Sequence, residues 1–249
     1  MTQAHEDPRL AAVYQHGNEM PAAALRAWAA LIAGYLPAAT AVLEVGAGTG
    51  MFTAALAREL PSAEVTGVEP SAPMRAEAER LSGHPRVRYL AGSAEALPVP
   101  DAGFELALLS RVVHHLPDRP AAARELARAL RPGGRLVLRT TVRERLDAPV
   151  YRYWPRLLQT DARRFPSEAE LLADFTGAGF TVHQVRSFAQ PVARDLRELR
   201  ERLVHRPQSK FLALTEAEFA AGLARLDAAG EGGGPVEERY DVIVLERAS

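Results

Sequence analysis

The chain has no cysteine among its 249 residues, which excludes disulfides, thiolate metal sites and cysteine nucleophiles. It is almost without lysine: among 30 basic residues, Lys210 is the single lysine. Alongside so much Ala, Arg, Leu, Gly and Pro, this skew reads as a GC-rich coding bias and not as an arginine-built binding surface. A formal net charge of −1 gives no electrostatic reason to expect nucleic acid. No stretch approaches the ~18 uninterrupted apolar residues of a membrane span, and the polar Met1–Arg9 segment has no apolar signal core. The expectation is a soluble, cytoplasmic protein. No acidic cluster has evident magnesium-ligand spacing, so no metal is expected.

What is present is a hydrophobic fraction of 47%, enough for a substantial core. The length suits one α/β domain with modest decorations, taken as residues 1–249. Short apolar runs of strand length occur at Ala41–Gly46, Glu64–Glu69, Val87–Ala91, Phe104–Ser110 and Arg135–Thr140. Between them Gly50–Leu60, Pro73–Leu81 and Pro120–Leu130 carry helical periodicity, two of them with proline in the first turn, where its missing N–H costs nothing. Such alternation argues for a parallel, doubly wound sheet with right-handed crossovers. Residues 8–36 read as helical with a break at Pro21, and Val150–Phe165 as one aromatic, arginine-rich helix. Ser167 with Glu170 and Thr215 with Glu218 are capping boxes. Asp195–His205 reads as helix, and Gly179–Phe188 and Tyr240–Glu246 as strands that allow an antiparallel edge.

The most specific local signal is Glu44-Val45-Gly46-Ala47-Gly48-Thr49-Gly50, an apolar strand running straight into a glycine loop and a helix. Glycine admits positive φ and close approach of the backbone to a ligand, and such a turn at the start of an α/β sheet is where nucleotide-like ligands dock. The dinucleotide fingerprint needs a third glycine or alanine at position 51, which is Met51. A nicotinamide cofactor is therefore disfavoured.

In order and spacing, this loop together with Glu69-Pro70-Ser71-Ala72-Pro73-Met74, Gly92-Ser93-Ala94-Glu95, Ser110 through His115 and Arg131-Pro132-Gly133-Gly134 resembles the class I S-adenosylmethionine (SAM)-dependent methyltransferases. The resemblance is to the small-molecule group related to ubiquinone and menaquinone biosynthesis, and it covers roughly Ala41 to Thr140. It implies a Rossmann-like seven-stranded sheet, mostly parallel, with a reversed final strand. It implies a SAM site in which Gly46, Gly48 and Gly50 pass under the methionine part and Glu44 orients its ammonium group. Glu69 would accept from the ribose hydroxyls, Met74 would pack on the adenine face, and Ser93 and Ala94 would meet the adenine edge. Ser93 replaces the aspartate usual in the family. Ser110 would line the gap between SAM and acceptor, and Tyr14 lies on an N-terminal helix that covers SAM in relatives. Residues 41–141 would form the SAM core, 8–36 an N-terminal cover, and 147–166 with 192–230 a helical cover on the acceptor side.

The implied reaction is methyl transfer to a small-molecule acceptor, a secondary metabolite or quinone-like compound, at oxygen, nitrogen or carbon. His114 or His115 would act as base where the nucleophile must lose a proton. Two other readings stay open: a protein that binds SAM or its demethylated product S-adenosylhomocysteine (SAH) without methyl transfer, and a nicotinamide-dependent oxidoreductase.

Overall fold

The computed structural model describes residues 20–206, 209–230 and 234–248. Seven strands form one sheet: β1 (Ala41–Val45), β2 (Glu64–Val68), β3 (Val87–Leu90), β4 (Phe104–Ser110), β5 (Leu130–Thr140), β6 (Phe180–Ala193) and β7 (Val236–Arg247). Their spatial order is β3-β2-β1-β4-β5-β7-β6. All neighbours from β3 to β5 are parallel. β7 is antiparallel to both β5 and β6. This is the Rossmann-like, doubly wound sheet with a reversed final strand.

The central strands are apolar at nearly every position because both faces of the sheet are covered. Their alternation divides them between two cores. Val42, Leu106, Leu108, Val137 and Val244 point to one face, under Trp28 and Ile32 of α1 (Ala22–Ala33) and Phe52 and Leu56 of α2 (Met51–Glu59). Leu43, Ala107, Leu109, Leu138 and Ile243 point to the other face. They pack under Ala122 and Leu126 of α4 (Arg119–Ala129) and Leu171 and Phe175 of α7 (Glu168–Thr176). α3 (Ala72–Ser82) connects β2 to β3, started by Ser71, whose hydroxyl accepts from Met74 N–H at 3.3 Å. A third apolar cluster belongs to a lid of α5 (Val150–Tyr153), α6 (Pro155–Arg164), α8 (Leu196–Leu203) and α9 (Glu216–Ala228).

Several boundaries differ from the sequence expectation. Val150–Phe165 is two helices, because Pro155 supplies no N–H and breaks the turn at Trp154 (φ −126°, ψ 76°). β5 first pairs at Leu130 opposite Phe104, passes through Gly133 at φ 75°, and resumes at Arg135 opposite Leu106. The reversed strand is internal, and β6 forms the edge. β6 and β7 pair as far as Ala193 opposite Val236, whereas β5 stops pairing at Thr140 opposite Asp241. The two strands therefore extend beyond the sheet as an antiparallel arm, connected through α8 and α9 rather than by a tight turn. Pro191 and the charged Glu237-Glu238-Arg239 obscured the arm in the sequence, and proline is tolerated there on an edge strand. Of residues 8–36, the described part packs as α1 against the sheet face, and only Met20 and Pro21 reach the rim of the cavity described next.

Candidate active site

The strand order places β1 between β2 and β4, the point where successive crossovers leave in opposite directions and a crevice opens at the carboxyl ends. The loop after β1 turns there on Gly46 (φ 73°), Gly48 (φ 57°) and Gly50 (φ 77°). Gly46 and Ala47 N–H groups both donate to Val68 O, at 2.8 and 3.1 Å, which fastens the loop to β2. A β-carbon on Gly46 would collide with Val112, and one on Gly50 with the Tyr89 hydroxyl. One on Gly48 would meet nothing within 4 Å. Two of the glycines thus serve packing, and Gly48 presents bare backbone to open space.

Glu69 stands at the end of β2 and is buried. Its Oε2 accepts from Gly48 N–H at 3.0 Å and its Oε1 from Ser71 N–H at 3.0 Å. Each carboxylate oxygen keeps a second lone pair for a ligand hydroxyl. Beneath the loop Glu44 is buried and accepts from the Thr53 hydroxyl. Burial pushes the Glu44 carboxyl up to about 8; the bonds from Thr53 oppose this and the charge of Glu69 adds to it.

A cavity of about 130 Å³ opens over this loop. Glu44, Gly48 and Ser110 line its sheet side, Gln190 and Glu238 the side of the β6–β7 arm, and Lys210 its lid side. Arg139, from the end of β5, is 2% exposed and lies against Tyr240 and Trp28, its guanidinium carbon 3.9 and 4.6 Å from their ring centres. It donates to Gln190 Oε1 at 2.7 Å, an oxygen that also accepts from Trp28 Nε1 at 2.7 Å. Burial pulls Arg139 down to about 10, so it remains a cation at neutral pH. A smaller cavity of about 60 Å³ shares Arg111, Ala148, Lys210, Glu238 and Tyr240 with the first. Its own walls include His114, Tyr151, Asp161 and Arg164.

Residues 43–138 match the family described as Methyltransferase domain. Demethylmenaquinone methyltransferase of Staphylococcus aureus is 31% identical over 178 residues, covering 62% of this chain and 73% of that protein. The chain belongs to the class I SAM-dependent methyltransferases. Solved structures agree in fold. An Anabaena variabilis protein assigned as a methyltransferase of an antibiotic biosynthesis pathway superposes with a TM-score of 0.74 at 24% identity, covering 88% of this chain and 96% of that one. The [4+2]-cyclase SpnF superposes with a TM-score of 0.64 at 22% identity, covering 93% and 85%. The methyltransferase transfers a methyl group from SAM to a small-molecule acceptor. Among its described residues no helix is long and apolar enough to cross a membrane, and no group of three or more His, Cys, Asp or Glu side chains is arranged to hold a metal ion.

In this methyltransferase the motif residues gather at one edge, though not all face the open cavity. Glu44, Gly46, Gly48 and Ser110 line it. Gly50 begins α2, and Met74 is buried in the first turn of α3, beside the Ser71–Glu69 turn. Ser93 forms an isolated bridge to Ala96, and the Ala94 side chain packs into the core beneath. Tyr14 lies outside the described residues. His114 is half-buried and stacks on Phe165 with ring centres 4.1 Å apart; its Nδ1 is buried with no hydrogen-bond partner. Burial, reinforced by the charges of His115, Arg164 and Arg111, holds His114 well below the usual imidazole range, so it is neutral at pH 7. His115 is exposed, its ring nitrogens 2.5 and 3.1 Å from Arg164 Nη2.

The polar side chains Arg139, Tyr151, Asp161, Lys210, Glu238 and Tyr240, which line the two cavities, were not singled out in the sequence. One signal was available. A lone lysine in so arginine-rich a chain is set apart by its chemistry, and Lys210 lines both cavities. The aromatic cluster divides in two. Tyr151 faces the smaller cavity. Trp154 is lid core, donating to Phe219 O at 3.1 Å and stacked on the Phe219 ring.

Proposed function

We propose that SAM lies across the carboxyl ends of β1, β2 and β4, and that the acceptor enters under the lid. The observation that carries this is the Gly48 N–H···Glu69 bond, which joins the loop after β1 to the acid after β2 beside a cavity reaching Ser110. The donor set suits the ligand. Glu69 keeps lone pairs for two ribose hydroxyls, Gly48 offers backbone with room above it, and Glu44 stands below as a neutral acid that ionises when an ammonium group approaches. Met74 supports the adenine face, with Ser93 and the Ala94 backbone at its edge and Gly46 and Gly50 shaping the loop. Residues 147–166 and 192–230 cover the acceptor.

SAM, when bound, supplies a methyl group already activated towards in-line displacement. The protein therefore has to align the acceptor, exclude water, and take a proton where the nucleophile carries one. Alignment falls to Ser110 and Arg111 at the end of β4, and water exclusion to the lid. His114 is the proton acceptor: its ring is neutral, its Nδ1 is unpartnered, and it lines the smaller cavity. His115, exposed and against Arg164, holds the turn. The acceptor is a small molecule of secondary metabolism.

Calorimetry with SAM and SAH tests the cofactor site. Glu69→Ala should weaken both ligands about 10- to 100-fold, because hydrogen bonds to a charged group contribute ~1.5–3 kcal/mol. Unchanged affinity would remove Glu69 from the site. Methyl-labelled SAM with a panel of hydroxylated, amino and carbon-acid acceptors then identifies the atom methylated.

A further inference from the structure

The smaller cavity contains polar groups to which the SAM placement above gives no role, and it shares Lys210 and Arg111 with the larger one. Asp161 is 2% exposed. Its Oδ2 accepts from the Tyr151 hydroxyl at 2.8 Å, while Oδ1, also buried, has no hydrogen-bond partner. A buried carboxylate oxygen left unsatisfied is costly, so one that lines a cavity calls for a donor there. The opposing charge is Lys210, whose ammonium lies 5.5 Å from the centre of the same Tyr151 ring. Among the described residues it has no carboxylate within 4 Å and no hydrogen bond, because the nearby carboxylates are engaged elsewhere. Glu238 accepts from the Tyr240 hydroxyl at 2.6 Å, and Asp147 pairs with Arg239 at 3.5 Å. Arg111 adds a second cation from the end of β4. Its φ of 61° is a conformation that costs energy for any residue but glycine and that clusters at ligand sites.

We propose that this cavity is the subsite for the oxygen-rich end of the acceptor, a hydroxylated organic acid whose anionic oxygen docks on Lys210 and Arg111 and whose hydroxyl donates to Asp161 Oδ1. The proposal rests on the placement of SAM in the larger cavity. It explains why an arginine-rich chain keeps one lysine. A compact ammonium on a flexible stem meets a single oxygen as a point charge, whereas guanidinium forks demand a planar partner. Burial lowers the Lys210 ammonium below the ordinary lysine range, with Glu238 and Asp161 opposing. A bound anion would restore it.

The experiment is calorimetry on SAH-saturated enzyme with three probes: 3-hydroxybenzoate, its methyl ester, and benzoate. The wild type should bind 3-hydroxybenzoate at least about tenfold more tightly than the ester, the scale of one charge-assisted hydrogen bond. Lys210→Met should erase that preference, and Lys210→Arg should keep part of it. Asp161→Asn should erase the advantage of 3-hydroxybenzoate over benzoate. SAH affinity and the melting temperature, measured on each variant, report whether the cofactor site and the fold are intact. An ester that binds as well as the acid, or an acid that does not bind while SAH does, overturns the subsite alone. Loss of SAH affinity in Lys210→Met assigns the lysine to the cofactor's carboxylate and overturns it as well. Failure of the wild type to bind SAH overturns the cofactor reading and the subsite together.

Discussion

Glu44 shows how far one buried side chain departs from its solution chemistry. Its carboxyl is raised from 4.5 to about 8, so between those values the folded protein holds a proton that the unfolded chain releases. Stability from this group is therefore greatest at the acid end of the window and declines as pH rises to 8. Glu44→Gln should raise Tm by about 3 °C or more at pH 8 and lose that advantage near pH 4.5, as followed by thermal melts across the series. The same residue should release a proton when the SAM ammonium binds. That release appears as a buffer-dependent binding enthalpy at pH 7, and Glu44→Gln should abolish it. His114 titrates in the opposite sense. It gains its proton only well below pH 6.5, so the acid limb of the kcat profile should lie below that value. His114→Ala should lower kcat by about 10²-fold for a hydroxyl acceptor while SAH affinity holds. Wild-type turnover in that variant would exclude the base.

At the scale of elements, the helix starts were readable because capping is local chemistry. Ser167 and Thr215 both form complete capping boxes with Glu170 and Glu218. The lid interior was not readable, because its contacts join segments about 65 residues apart. Trp154 packs against Phe219, and Gly222 of α9 lies against the same indole. A β-carbon at Gly222 would overlap the Trp154 ring, so Gly222→Ala should loosen the lid. The expected result is a several-fold rise in the acceptor KM with SAH affinity nearly unchanged, read by steady-state kinetics beside calorimetry. Equal loss of both would mean that the lid also holds the cofactor.

Across the whole molecule, the antiparallel pair of β6 and β7 links the sheet to the lid. Asp241, 1% exposed, accepts from Val142 N–H at 3.0 Å, Arg145 Nε at 2.6 Å and the Ser187 hydroxyl at 2.5 Å. It thereby joins β7, β6 and the entry to the lid. Asp241→Ala leaves the buried Val142 N–H without its acceptor while Arg145 stays partly exposed to water, so it should cost about 1–3 kcal/mol in urea unfolding. A change within ~0.5 kcal/mol would show that the network adds nothing to stability. In the sequence Asp241 is one more acid in a charged stretch, and nothing local marks it as buried.

The sequence by itself determined the sheet, the crossovers and the glycine loop that mark this methyltransferase, because alternating burial, capping and left-handed turns are encoded within a few neighbouring residues. The loop from Gly46 to Gly50 was legible for that reason, whereas Glu69 and Ser110 were legible only through the resemblance of their motifs to the family. Only the tertiary structure brought the polar side chains of the two cavities together. Arg139, Asp161, Lys210 and Glu238 come from β5, the lid and the β6–β7 arm, distant segments that meet in shared low-dielectric cavities. There the desolvation of each charge, and the absence of a partner for Lys210 and for one oxygen of Asp161 among the described residues, are the features on which the proposed acceptor subsite rests.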